Sequence, residues 1–216
     1  PTNCALMCIS FKAPNGLHYD AIVLEVIANI ISKGPQALAE QFKQDESLPI
    51  HDIIAEWERM RDPYLFSIWG TTNQPTKDAL QKAEDTIHTI TEMLQTMKMN
   101  EHIKRAKQYI KNEWDNEMLG TRNTAMAINE AIARGDPFDV HKRFEVLNSI
   151  NEKDVKRVTA KYFDVRRSTV GWLLPGDVAP DIVTETYHKL DTKEFKTSTV
   201  PSNEGASFEA SDGEFT

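Results

Sequence analysis

Six histidines, His18, His51, His88, His102, His141 and His188, are the side chains of this sequence best suited to holding a hydrolytic metal. Zinc hydrolysis needs two imidazoles about one helical turn apart plus a carboxylate, as in His-Glu-x-x-His or its inverse His-x-x-Glu-His. No pair has that spacing, so each histidine reads as a solvated or turn residue. His51-Asp52 with Glu56 and Glu58 comes nearest to a ligand set, but strand alternation sends those side chains to mixed faces. Cys4 and Cys8 lie among apolar residues, which raise a thiol pKa and disarm a nucleophile. Ser32-Lys33-Gly34-Pro35 lacks the spacing and the Lys-Ser/Thr ending of a phosphate loop, and no Gly-x-Ser-x-Gly elbow occurs. The paired acids Glu56 and Glu58, and Glu113, Asp115 and Glu117, have the spacing of solvated faces. On residues alone the sequence carries no recognisable catalytic centre.

With 216 residues, 40% of them hydrophobic, the chain can bury one ordinary core. Its 33 acidic against 25 basic residues give a formal charge of -8. That surface repels nucleic acid and anionic membrane, leaving protein, peptide or small-molecule partners. No apolar run approaches the roughly 18 residues of a membrane span, and no signal-peptide pattern opens the chain. The reading is a soluble chain without membrane insertion, compatible with cytoplasm or periplasm. On one strand, Cys4 and Cys8 would lie about 13 Å apart, too far for a disulfide. They read as small buried apolar residues.

Asn3 to Lys12 reads as a strand ending at Ala13-Pro14-Asn15-Gly16. Ala21, Leu24, Ile27, Ala28 and Ile31 recur at helical spacing, with Asp20 near the start where the helix dipole favours an acid. Gly34 suits a left-handed cap, and Pro35 opens a short helix to about Lys43. A polar elbow (Lys43, Gln44, Asp45, Glu46, Ser47) leads into two strand-like runs, Ile50 to Arg59 and Tyr64 to Thr72. These are expected to pair as a hairpin in the middle of a sheet. Thr76 caps a helix through Met97. Further helices follow from Glu101 to about Leu119, from Ala125 to Ala133, around Phe138 to Leu147, and from Glu152 to Phe163 behind Asn151. Arg167 to Leu174 is a last strand. The order β-α-α-β-β-α-α-α-α-α-β predicts α+β architecture, one mostly antiparallel sheet with helices largely on one face. Residues 1–176 form this domain; 177–197 read as an extension and 198–216 as a flexible acidic tail.

The ordered set Gly135-Asp136-Pro137, the helix Asn151 to Phe163 and the strand Ser168 to Pro175 resembles the C-terminal, non-catalytic half of an insulinase/pitrilysin-type zinc metallopeptidase. So does Phe11 to Leu38, with its strand, Pro14, Asp20 and Ser32-Lys33-Gly34-Pro35. The resemblance, over roughly Ala5 to Pro175, implies the processing-peptidase-like fold of two related halves around a chamber. The zinc and its His-x-x-Glu-His motif would sit in the other half, with metal-bound water attacking the peptide bond. This chain would hold no metal and no independent activity; it would close the chamber and help bind peptide. The partner half would lie in the same polypeptide or in a separate subunit. The abrupt strand at Asn3 points to a piece cut from a longer polypeptide, with a preceding domain of similar size.

In that family an Arg and a Tyr seven residues apart reach the substrate from the elbow. Here Lys43 stands at the Arg position and Ile50 at the Tyr position. Lys43 can keep a point charge but not a bidentate fork, and Ile50 cannot donate a hydrogen bond. No residue is carried over as catalytic. Lys43 is the one substrate-binding candidate, against the plainer reading of a solvated helix-end lysine. The alternative function is a proteolytically inactive structural or protein-binding homologue, and a stand-alone small-ligand module has no support. Homodimerisation through edge strands or through the face that should meet the other half is a further expectation.

Overall fold

The computed structural model of the chain describes residues 4–45, 48–74 and 76–175. The expected extension at 177–197 and acidic tail at 198–216 lie outside the described residues, as do Glu46 and Ser47 of the elbow.

The elements follow the expected order: β1 (Ala5–Lys12), α1 (Tyr19–Ser32), α2 (Leu38–Lys43), β2 (Asp52–Trp57), β3 (Leu65–Thr72), α3 (Lys77–Thr96), α4 (Asn100–Glu117), α5 (Thr121–Arg134), α6 (Asp139–Ser149), α7 (Glu152–Tyr162) and β4 (Ser168–Leu173). The four strands form one sheet in the order β2-β3-β1-β4, with every neighbouring pair antiparallel. The architecture is α+β, as the periodicities predict.

Three local expectations are corrected. The hairpin β2–β3 forms, but it is not the centre of the sheet: β2 lies at one edge, while β1 pairs on both sides. A six-residue strand carrying Asp52 and Glu56 has the short, charged character of an edge. The second helix starts at Leu38 rather than Pro35, because residues 34–37 close a turn in which the Ala37 N–H donates to the Gly34 carbonyl. The cysteines are not core residues: Cys4 is exposed and Cys8 half-buried, because β1 turns its even-numbered side chains away from the helices. Gly34 (φ 82°) and Gly135 (φ 106°) both take backbone that other residues resist, and Gly135 closes α5.

Met7, Ile9 and Phe11 of β1 join Ile53, Phe66 and Ile68 on one sheet face, all buried in the core. Leu24, Ile27 and Ile31 of α1, Ile87, Ile90 and Leu94 of α3, and Val155 and Val158 of α7 pack in the same cluster. Phe163, just past α7, sets its ring against Phe11 and Phe66 with centroids 5.0 and 4.8 Å away. Each fully buried side chain of this size contributes about 1.5–3 kcal/mol. The central helix α1 is buried on nearly all sides and touches β2, α2, α4, α6 and α7. A capping box starts α7: the Asn151 side chain accepts from the Lys153 N–H, and the Asp154 carboxylate from the Asn151 N–H.

Candidate functional site

The opposite sheet face is built from the alternate residues of the same strands. Across the register stand Asp52, Thr71, Leu6 and Leu173; then Ile54, Trp69, Cys8 and Gly171; then Glu56, Ser67, Ser10 and Thr169. None of these is buried, and Ile54 and Leu173 are exposed. The described helices lie on the other face, so no described element covers this surface.

Its side chains are tied to one another. The Trp69 indole N–H donates to Glu56 Oε2 at 2.9 Å. The hydroxyls of Ser10 and Ser67 lie 2.9 Å apart across β1 and β3, and Cys8 Sγ lies 3.3 Å from the Ser10 hydroxyl. The result is an apolar, hydroxyl-dotted strip with Trp69 near its middle and a carboxylate beside it. Such a surface suits an extended peptide, which offers apolar side chains and backbone polar groups by turns. Nucleophile, base and orienting group do not assemble on it.

Lys43 sits at the corner where the elbow meets this face. Its Nζ lies 2.6 Å from Asp52 Oδ1 and 2.9 Å from Glu40 Oε1. The hydrogen bond to Asp52, and then that to Glu40, raise the lysine pKa. The ammonium is held in a double ion pair, not left as a free helix-end charge. Ile50 is buried in the core cluster. The two residues at the Arg and Tyr positions are therefore not brought together at a site.

Sequence reasoning missed two carboxylates on α1. Asp20, expected near the helix start where the dipole favours an acid, is 1% exposed. Arg157 Nη2 reaches its Oδ1 at 2.8 Å, and Lys161 Nζ and the Tyr162 hydroxyl both donate to its Oδ2 at 2.9 Å. Burial pushes the carboxyl toward its neutral form, but these donors outweigh it and bring the pKa down to about 2. Glu25 is the reverse case. Trp114 Nε1 donates to its Oε1 at 3.0 Å, while its buried Oε2 has no hydrogen-bond partner. Burial raises this carboxyl to about 7 against the pull of Arg59 and Arg143. Those cations are engaged elsewhere: Arg59 with Asp139 at 2.6 Å, and Arg143 with Glu117 at 3.1 Å. Both carboxylates belong to the helical layer, away from the open face. The only sequence signal was a pair of acids inside an otherwise apolar helix.

A sheet covered on one side by this run of helices is found in solved structures. The chain has the fold of inactive peptidase M16 domains. One is a Bordetella parapertussis domain described as the inactive peptidase domain of a zinc protease, with a TM-score of 0.70 at 17% identity, matching 80% of this chain and 93% of that one. Another is a peptidase M16 inactive domain from Pseudomonas fluorescens, with a TM-score of 0.65 at 12% identity, matching 81% of this chain. A protease from Helicobacter pylori matches 80% of this chain with a TM-score of 0.71 at 17% identity. This chain spans 41% of the Helicobacter chain and 41% of the Pseudomonas chain. No family model matches the sequence, and no curated protein does. Among the described residues, no three His, Cys, Asp or Glu side chains converge as a metal site. No helix among them is long and apolar enough to cross a membrane.

Proposed function

We propose that this chain is the non-catalytic half of an insulinase-family (M16) zinc peptidase. In this reading the open sheet face forms one wall of the chamber and grips an extended peptide, while a partner half, in the same polypeptide or a separate subunit, holds the zinc. The observation that carries the reading is the uncovered face itself, with Trp69, Leu6, Ile54 and Leu173 around a pair of hydroxyls, on a fold shared with inactive peptidase domains. The grip then comes from the sheet more than from the elbow. Lys43, clamped between Glu40 and Asp52, offers a substrate the rim of an ion pair and not a free cation.

The missing Arg/Tyr pair favours a second reading, a homologue that binds protein and cleaves nothing. Peptide cleavage by this chain mixed with the His-x-x-Glu-His half, with and without a chelator, separates the two. The first reading expects chelator-sensitive cleavage that needs both halves, and a raised KM with Trp69→Ala. An inert mixture whose partner half binds zinc refutes it.

A further inference from the structure

Helix α5 is attached to the domain by one narrow seam. Ala127 and Ala131 face Val140 in a small cluster apart from the main core, with Met118 against it. On the other side Met126 is 53% and Ile132 54% exposed. At about 100° per residue, the outward face is centred on Asn129, nearly opposite Ala127 and Ala131. Met126 and Ile132 flank Asn129 three residues to either side, and Ala125 and Ala133 four residues to either side. The outward stripe therefore reads the same from both ends: small, large, amide, large, small.

We infer that α5 pairs with α5 of a second copy of this chain, antiparallel, about a two-fold axis passing beside Asn129. A two-fold contact must be self-complementary, and this stripe is. With Asn129 on the axis, Met126 seats over the partner's Ala133 and Ile132 over the partner's Ala125, large side chains into gaps left by alanine. The two Asn129 amides meet each other, and each has both donor and acceptor.

The charges agree with this occupant. The first turn of α5 holds no acid, and exposed Arg122 stands there, where the helix dipole disfavours a cation. In the antiparallel pair Arg122 lies beside the C-terminal end of the other helix, next to the partner's Asp136. Asp136 follows Gly135 at that end and already accepts from Lys142 at 2.6 Å. One helix pair buries less than the roughly 800 Å² per partner of a standard interface, so the dimer is concentration-dependent.

Site-specific cross-linking and sedimentation of the 216-residue chain, with Cys4 and Cys8 changed to Ser, test this. Asn129→Cys puts two thiols on the axis and is expected to oxidise to a disulfide dimer at least about tenfold faster than Arg122→Cys, whose thiols would lie about 20 Å apart. The parent chain is expected to show a monomer–dimer equilibrium in the micromolar range. Met126→Glu with Ile132→Glu should abolish that equilibrium and, at concentrations too low for the parent to dimerise, leave the melting temperature unchanged, since both side chains are exposed. The inference is overturned if the chain stays monomeric to several hundred micromolar, or if the two cysteine variants oxidise at the same rate. It is also overturned if the thiol of the Asn129→Cys variant is shielded only when the zinc-bearing half is added, which would assign α5 to that half.

Discussion

The two faces of the sheet are made by the same strands and differ in every other respect. On the covered face Met7, Ile9, Phe66 and Ile68 are fully buried under α1, α3 and α7. On the open face their neighbours Leu6, Cys8, Ser67 and Trp69 are only half-buried, and their side-chain hydrogen bonds run to Ser10 and Glu56 on the same face. Covered residues are bound by packing, where a lost methylene is felt as a cavity. Open residues hold little stability and are free to serve a partner. In the proposed reading, stability and binding are separated by the parity of a residue along its strand, and substitutions on the two sides should behave as different classes.

The largest effect is expected on the covered face. Phe66→Ala removes a ring packed against Phe163 and should cost about 3–5 kcal/mol in chemical denaturation. A cost below about 1 kcal/mol would erase the distinction between the faces.

Next come the two α1 carboxylates that lie within the helical cover. Glu25 has a folded pKa near 7, above the ordinary 4.5. A raised acid penalises the folded state as it ionises, so stability should fall as pH rises from about 4.5 to about 7 and level off above. The loss is about 3 kcal/mol, from the energy of a pKa unit. Glu25→Gln keeps an acceptor for the Trp114 indole, should flatten that slope and should be the more stable protein at pH 8. Asp20, lowered to about 2, has the opposite sign: its contribution is complete above about 3.8 and is lost as pH falls toward 2. Asp20→Asn should therefore cost about 2 kcal/mol at neutral pH, the difference fading in acid. Denaturation at a series of pH values reads both.

Trp69→Ala stands last. It lies on the open face and loses one hydrogen bond to Glu56, so it should change stability by about 1 kcal/mol or less. Its weight should appear in peptide binding instead.

Much of this layout was legible in the sequence. The element order followed from the switch between periods of two and 3.6, and from Gly34, Thr76, Gly135 and Asn151 at the element ends. Strand order was not legible, because pairing is non-local: nothing near Ile54 states that β2 ends at an edge while β1 pairs on both sides. In β1 the residues Ala-Leu-Met-Cys-Ile are apolar on both faces, so alternation could not assign Cys8 to the open side. The burial of Asp20 was not legible because Lys161 and Tyr162, its donors, lie 141 and 142 residues away. At the elbow the absence of the Arg/Tyr pair was visible from Lys43 and Ile50 themselves. The clamp on Lys43 needed Asp52, which the sequence leaves undirected. The open face went unseen as a candidate site, since its members are ordinary residues that acquire meaning only in register.

In the proposed function the open face receives the peptide. Of the four tryptophans, Trp69 is on that face; Trp57 and Trp172 pack against the core, and Trp114 is buried between α1 and α6. With all four replaced by 5-fluorotryptophan, fluorine NMR during titration with an extended substrate peptide, in the presence of the zinc-bearing half, should move the Trp69 resonance and leave the other three in place. Cleavage of the same peptide with the Trp69 resonance unmoved would contradict the account.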